Sequence, residues 1–430
     1  MSLAQRVVAL RMKVFEHVNG DNVITVPGER LGPERFRELY SHPAARGRSR
    51  GAGLSDLFWY WLSPGPEVHQ EHLEDGPRYD DVARTTSRIL AGRSEDLAAT
   101  AARCTATVLR ETGSGKHRLV RLRDLMMPVW AEFFYETVFR RPCPRGARDL
   151  IVAHADDVVT ALKCTGFRHM ERRTRLTRYL AGHLDDVPHE LPASLTRQEQ
   201  VYYLQGTFFN TAVVQMSEGM THLLLALAQH HRTRQRAATG DDEYLAHVID
   251  ETMRLYPLFG IAHRITTGEI VVDEETTLPS GSVLCFDYPG YHASGYPDPE
   301  RFDPSRWEAL SAKDAPHVPF GIAANRPCPA WRLAPLAMRA SAREVLRWFD
   351  LDSTVAHTRS LPSRGPCLLI RRGHRIAPGR LRLVRIFLRS RDRWEDVWRS
   401  VAQLVLGTCM VLDARRRRLA VRYFEEMDRD

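Results

Sequence analysis

Pro319-Phe320-Gly321-Ile322-Ala323-Ala324-Asn325-Arg326-Pro327-Cys328-Pro329-Ala330 is a turn-rich loop that delivers one cysteine to an apolar helix beginning near Trp331. A thiolate at Cys328 would gain from the positive end of that helix, which favours the anion a metal needs. A lone cysteine before a helix is more often a small buried hydrophobe, so the surrounding sequence has to decide.

Upstream, Tyr296-Pro297-Asp298-Pro299-Glu300-Arg301-Phe302-Asp303-Pro304-Ser305-Arg306-Trp307 crowds three prolines into one short span. Neither helix nor strand tolerates that, so a fixed meander is expected. Short β-like segments at 263–266, 269–272 and 282–286 precede it, separated by turn residues. Before them a helix over 241–256 carries Glu251-Thr252-Met253-Arg254, whose Glu251 and Arg254 share one face at a spacing of three. An exposed pair of that kind would contribute almost nothing.

Further back, apolar periodicity predicts a long core helix over 197–231 and others over 80–91, 94–111, 122–139, 146–165 and 167–184. The core helix holds Asn210, Thr211, Gln215, Ser217 and Glu218, polar groups that a buried helix must satisfy or use. Serine and threonine often satisfy themselves by bonding back to their own helix. The first sixty residues are punctuated by Pro and Gly, with one short helix expected over 33–40. Phe58-Trp59-Tyr60-Trp61-Leu62 reads as a core anchor or pocket wall; without interleaved basic residues it is a poor platform for nucleic acid.

Composition bounds the class. An apolar content of 43% in 430 residues is ample for a large core. Only four lysines stand beside 57 arginines, a bias that reads as a GC-rich bacterial gene. The net charge of +8 is spread along the chain and forms no nucleic-acid-binding tract. Seven scattered cysteines, without the paired spacing of a zinc site, suit a reducing compartment. The N-terminal MSLAQRVVALRMKVFEH has no signal-peptide core. The longest apolar run, 401–412, is too short to span a membrane, so a cytoplasmic protein is expected.

The order E-x-x-R-x-x-P at 251–257, PERFDPSRW at 299–307 and Phe-Gly to Arg-x-Cys-Pro at 320–329 resembles the cytochrome P-450 family. The resemblance covers about residues 78–370. It implies a mainly helical fold with a small β region and haem b (iron protoporphyrin IX) as cofactor. Cys328 would be the axial thiolate on iron, with Phe320 bordering its loop. Arg326 and Arg264 would meet the haem propionates, a third cation coming from the helix near Arg84 and Arg88. Glu251, Arg254 and Arg301 would form the family's structural ion-pair triad. The implied activity is monooxygenation of a small organic molecule in bacterial specialised metabolism, with electrons from an external ferredoxin and its reductase.

Two departures from the family pattern stand out. The cysteine loop is one residue longer than usual, Ala323-Ala324 replaces the usual glycine, and alanine cannot cheaply adopt positive φ. In the oxygen-activation helix the family's acid or amide followed by threonine fits Asn210-Thr211, whereas counting back from His230 puts Gln215 in the threonine place. The two registers differ by about one helical turn and so face the same side. These departures keep a peroxide-dependent or redox-neutral reaction (dehydratase or isomerase) as an alternative, and a haem-containing accessory subunit as another.

The expected organisation is a haem-thiolate catalytic part over 1–371, its first sixty residues poorly matched, followed by a basic helical extension over 372–430. In the extension Trp394, Val397, Trp398, Val401, Leu404 and Val405 follow helical spacing and Arg415 to Arg418 form a basic run. Packing on the body is expected, with docking of a redox protein, another enzyme, a carrier or a second subunit as the sharper alternative.

Overall fold

Thr196 starts the helix that the rest of the molecule surrounds. Its hydroxyl accepts from the Glu199 amide at 3.3 Å while the Glu199 carboxylate accepts from the Thr196 amide at 2.8 Å, a reciprocal cap that fixes the first turn. This computed structural model describes Arg6, Ala9, Leu10 and Lys13, then residues 23–113, 115–357 and 366–429.

The helices used below are α1 (Gly53–Leu62), α2 (Pro77–Leu90), α3 (Ser94–Glu111), α4 (Leu122–Phe139) and α5 (Arg145–Leu162). Next comes α6, made of Arg197–Gly206, a π-helical turn Thr207–Ala212 and Val213–Gln229 in unbroken succession. They are followed by α7 (Asp242–Leu255), α8 (Leu333–Trp348), α9 (Pro378–Arg417) and α10 (Leu419–Met427). Helix α4 is apolar almost all round, and α6 carries Phe208, Phe209, Met220 and Leu223 to Leu225, so both are buried across the centre of the main core. Small residues let α3 and α8 approach closely, and Thr105 of α3 donates to Ser341 of α8 at 3.0 Å.

Among the described residues three small sheets flank the helices, the smallest an antiparallel pair of Ile270–Val271 with Thr277–Leu278. Strand β1 (Val23–Val26) lies parallel to β4 (Val283–Asp287), which pairs antiparallel with β3 (Ile261–Ile265). The second sheet is antiparallel, in the order β2 (His117–Arg121), β6 (Pro366–Arg371), β5 (Phe349–Asp352). The expected final strand pair lies within 361–370, of which 361–365 fall outside the described residues.

The mainly helical expectation holds, and the segments read from apolar period appear with near-matching bounds. The N-terminal part is more integrated than its sequence suggested. Phe36 and Tyr40 pack with Phe286, Tyr288 and Tyr291 in an aromatic cluster, and Phe58 to Leu62 form the end of α1. Trp59 of α1 meets Tyr423 and Phe424 of α10.

Candidate functional site

Cys328 is placed by its own loop. Its amide donates to the Phe320 carbonyl at 2.8 Å, closing the loop, and its carbonyl accepts from the Trp331 amide at 3.1 Å. Positive φ falls on Gly321 (+75°) and Arg326 (+54°) rather than on Ala323 or Ala324, which explains how the loop does without the expected glycine. Asn325 then pins it, its side-chain amide donating to the Tyr40 and Ala45 carbonyls at 2.7 and 2.8 Å. Burial pushes the Cys328 thiol up to about 11, although the Ala330 amide favours the anion.

The cysteine opens into a cavity enclosing about 1140 Å³ of atom-free space, part of it continuous with solvent. Thr207, Thr211 and Gln215, spaced four apart on α6, line it together with Phe208, Ala212 and Met216. Both candidate registers of the polar pair thus reach the same space. Asn210 is buried but is not among the lining residues. Ser217 and Thr221 bond back to the Val213 and Ser217 carbonyls at 2.6 and 2.8 Å, as polar residues in buried helices commonly do.

Thr211 behaves differently. Its hydroxyl lies 2.9 Å from Nε2 of His69, a residue that no motif marks out. His69 Nδ1 accepts from the Glu71 amide at 3.1 Å, and burial holds the ring below its usual titration range. The neutral ring therefore carries its hydrogen on Nε2 and donates it to Thr211, leaving the threonine's own hydrogen free to be donated elsewhere.

Arg264 and Arg326 line one side of the cavity, and a third arginine, Arg48, is buried near them. Arg326 donates to Asp75 at 2.6 Å and lies over the Tyr79 ring at 3.8 Å. Arg264 donates to the Tyr40 hydroxyl at 2.5 Å. Arg48, the third, lies 3.6 Å from Glu71; burial and the neighbouring Arg264 push it down to about 9. Burial opposes ionisation of Glu71, but Arg48 and Arg264 hold its carboxyl below the usual range. Each arginine keeps a buried Nε without a hydrogen-bond partner. The expected third cation from α2 is corrected: Arg84 and Arg88 are exposed, and Arg88 reaches Glu190 at 3.2 Å.

The ion-pair triad is also corrected. Arg254 binds Glu251 through two bonds, Nε to Oε2 at 2.9 Å and Nη2 to Oε1 at 2.8 Å. The third member is Arg306, whose Nε donates to Glu251 Oε1 at 3.0 Å, joined by the Trp307 indole at 3.1 Å. Arg301 has an exposed side chain; its carbonyl accepts from Arg254 and from Arg306, each at 3.3 Å. The physical reason lies in the 3-10 turn Pro304–Glu308, which turns Arg306 and Trp307 inward against α7.

A helical body with small sheets, a cysteine loop pinned by Asn325 and a cavity between that loop and a distorted core helix define the haem-thiolate class of fold. The chain belongs to the cytochrome P-450 family, whose sequence model matches residues 147–372. It is 34% identical over 167 residues to the cytochrome P-450 135B1 of Mycobacterium tuberculosis, covering 36% of this chain and 35% of that protein. It is 36% identical over 89 residues to the cyclooctat-9-en-7-ol 5-monooxygenase of Streptomyces melanosporofaciens, covering 20% of this chain and 19% of that one. The matched part thus spans about a third or less of these curated relatives. The six-coordinated cytochrome P-450 of Thermus thermophilus superposes with a TM-score of 0.63 at 18% identity, over 79% of this chain and 90% of that one.

The residues present fit the haem that the family implies. Cys328 offers a thiol at the cavity wall, where Arg264 and Arg326 each keep a buried, unpartnered Nε that could donate to a dianionic group, with the Arg48 Nε also unpartnered nearby.

Proposed function

We propose that this chain is a haem-thiolate monooxygenase acting on a small, largely apolar organic molecule. Haem b would be held by Cys328 and by Arg48, Arg264 and Arg326, with electrons drawn from a separate ferredoxin and ferredoxin reductase. The observation that carries the reading is one cavity lined by Cys328 and by the Thr207, Thr211 and Gln215 row of α6. When bound, the haem supplies thiolate-assisted cleavage of an O–O bond. The chain's residues do the rest. Phe134, Phe208 and Leu258 would give the substrate a mostly apolar wall. Thr211, fixed by His69, holds a hydroxyl hydrogen for donation into the cavity, and Gln215 adds an amide one turn further on. We place the protein in the reducing cytoplasm and in bacterial specialised metabolism, the latter by analogy with the named reaction of the Streptomyces relative.

Product formation in the wild type and in Thr211→Ala, with reduced ferredoxin or with peroxide as the driver, tests this. The variant is expected to lose roughly tenfold to a hundredfold with ferredoxin, the usual worth of a positioned proton donor, and to keep its peroxide-driven rate. Equal rates of wild type and variant under both drivers would refute a proton role for Thr211. Gln215 in the lining favours a second reading, a peroxide-driven or redox-neutral reaction. In that case ferredoxin would support no turnover in the wild type either.

A further inference from the structure

Helix α9 presents its more apolar side to solvent. Trp394 is 75% exposed, Trp398 69% and Leu383 68%, and Phe387, Val405 and Leu412 are exposed as well. At about 100° per residue these positions fall on one stripe along the helix. The opposite side is the anchored one and is partly polar. Gln403 donates to the Lys163 carbonyl at 2.8 Å, Asp392 accepts from the Ala356 amide at 3.0 Å, and Ser400 is buried. A soluble helix normally has the reverse arrangement, so the outward stripe is built for an occupant.

Charge identifies that occupant. The acids of α9 are Asp392, Glu395, Asp396 and Asp413, and all are half-buried. Glu395 is engaged by Arg391 and Arg399, and Asp413 by Arg417. Every exposed charged residue of the helix is an arginine, including Arg380 in line with the stripe, Arg393 next to Trp394 in the chain, and Arg415 and Arg416 at the helix end. Paired with a second copy of itself, such a face would bring arginine against arginine. Indole rings flanked by arginines match a lipid interface, where the rings sit at headgroup depth and the guanidiniums meet anionic headgroups.

We propose that α9 docks the protein on the surface of an anionic lipid bilayer, lying flat with this stripe immersed. The helical stretch Pro378–Met427 is long and apolar enough by composition to cross a membrane, which the expectation drawn from the run 401–412 did not foresee. Its inner side argues for lying on the surface: leaving the body would strip Gln403 and Asp392 of their partners inside hydrocarbon. The surface reading is independent of the catalytic one, since none of the stripe residues lines the cysteine cavity.

Co-sedimentation of the full-length holoprotein with vesicles of pure phosphatidylcholine, or of phosphatidylcholine with phosphatidylglycerol, tests the proposal. Binding is expected on the anionic vesicles only, weakening as salt rises. The double variant Trp394→Ser and Trp398→Ser is expected to bind at least roughly tenfold more weakly, with an unchanged circular dichroism spectrum. Equal binding to both vesicle types, or undiminished binding by the double variant, would overturn it. So would absence of vesicle binding, whether the chain is then a monomer or a dimer that the double variant dissolves.

Discussion

The carboxylate of Glu251 is fully buried, and both of its oxygens are used. Arg254, Arg306, the Trp307 indole and the Asp303 amide all donate to it. Removing Arg254 leaves that charge without its bidentate partner, which costs about 3–5 kcal/mol. Arg254→Ala is therefore expected to unfold at much lower urea concentration and to retain little haem. Arg306→Ala should follow it in direction, whereas Arg301→Ala should stay within about 0.5 kcal/mol of wild type, because only its backbone is engaged. Urea titrations of the three variants check the assignment, and a reversed ranking of Arg301 and Arg306 would refute it. The sequence shows why the wrong arginine was legible first: Pro299-Glu300-Arg301-Phe302 and Pro304-Ser305-Arg306-Trp307 are near-repeats five residues apart, and only the turn distinguishes them. Arg48 was hidden for another reason. One arginine among 57 carries no signal until the chain brings it beside Arg264, Arg326 and Glu71. His69 was hidden likewise, since its partner Thr211 lies 142 positions away.

Among the elements, α6 was the most legible because a capping box and a continuous apolar run both announce it. Its π-helical turn was not, since one extra residue in a turn leaves no mark on apolar period. Strand β1 and helix α1 escaped notice because Pro and Gly interrupt that region and its burial depends on distant partners such as β4 and α10. The C-terminal extension is less separable than its late position suggested. Asp56 of α1 accepts from the Ala420 amide at 2.8 Å, and Ala420 and Phe424 close over Trp59. Phe424→Ala should thus cost about 3 kcal/mol, the usual loss for a large core aromatic, and thermal unfolding would register it. A change below about 0.5 kcal/mol would mean that α10 does not share the core.

At the scale of the whole molecule, buried neutral histidines set the response to acid. Burial, with Arg173 adding to it, pushes His154 down to about 3, and burial pushes His263 down to about 4. Both would titrate near 6.5 in the unfolded chain. Because the folded values are depressed, the unfolded chain takes up protons first. Stability is full above about pH 6.5 and falls as pH drops towards the folded values, by about 1.4 kcal/mol per pH unit for each ring. Urea unfolding at pH 7.5 and 5.5 should accordingly show a loss of roughly 2–3 kcal/mol from these two rings. Equal stability at the two values would contradict their burial in neutral form.

The proposed function depends on one bond that Cys328 would make, between its sulfur and iron. The most direct measurement is the absorbance of the reduced, carbon-monoxide-bound protein, taken for the wild type and for Cys328→Ser. The account predicts the strongly red-shifted Soret band of thiolate ligation in the wild type and its loss in the variant. A folded, haem-loaded wild type without that band, or a Cys328→Ser protein that keeps it, would contradict the assignment.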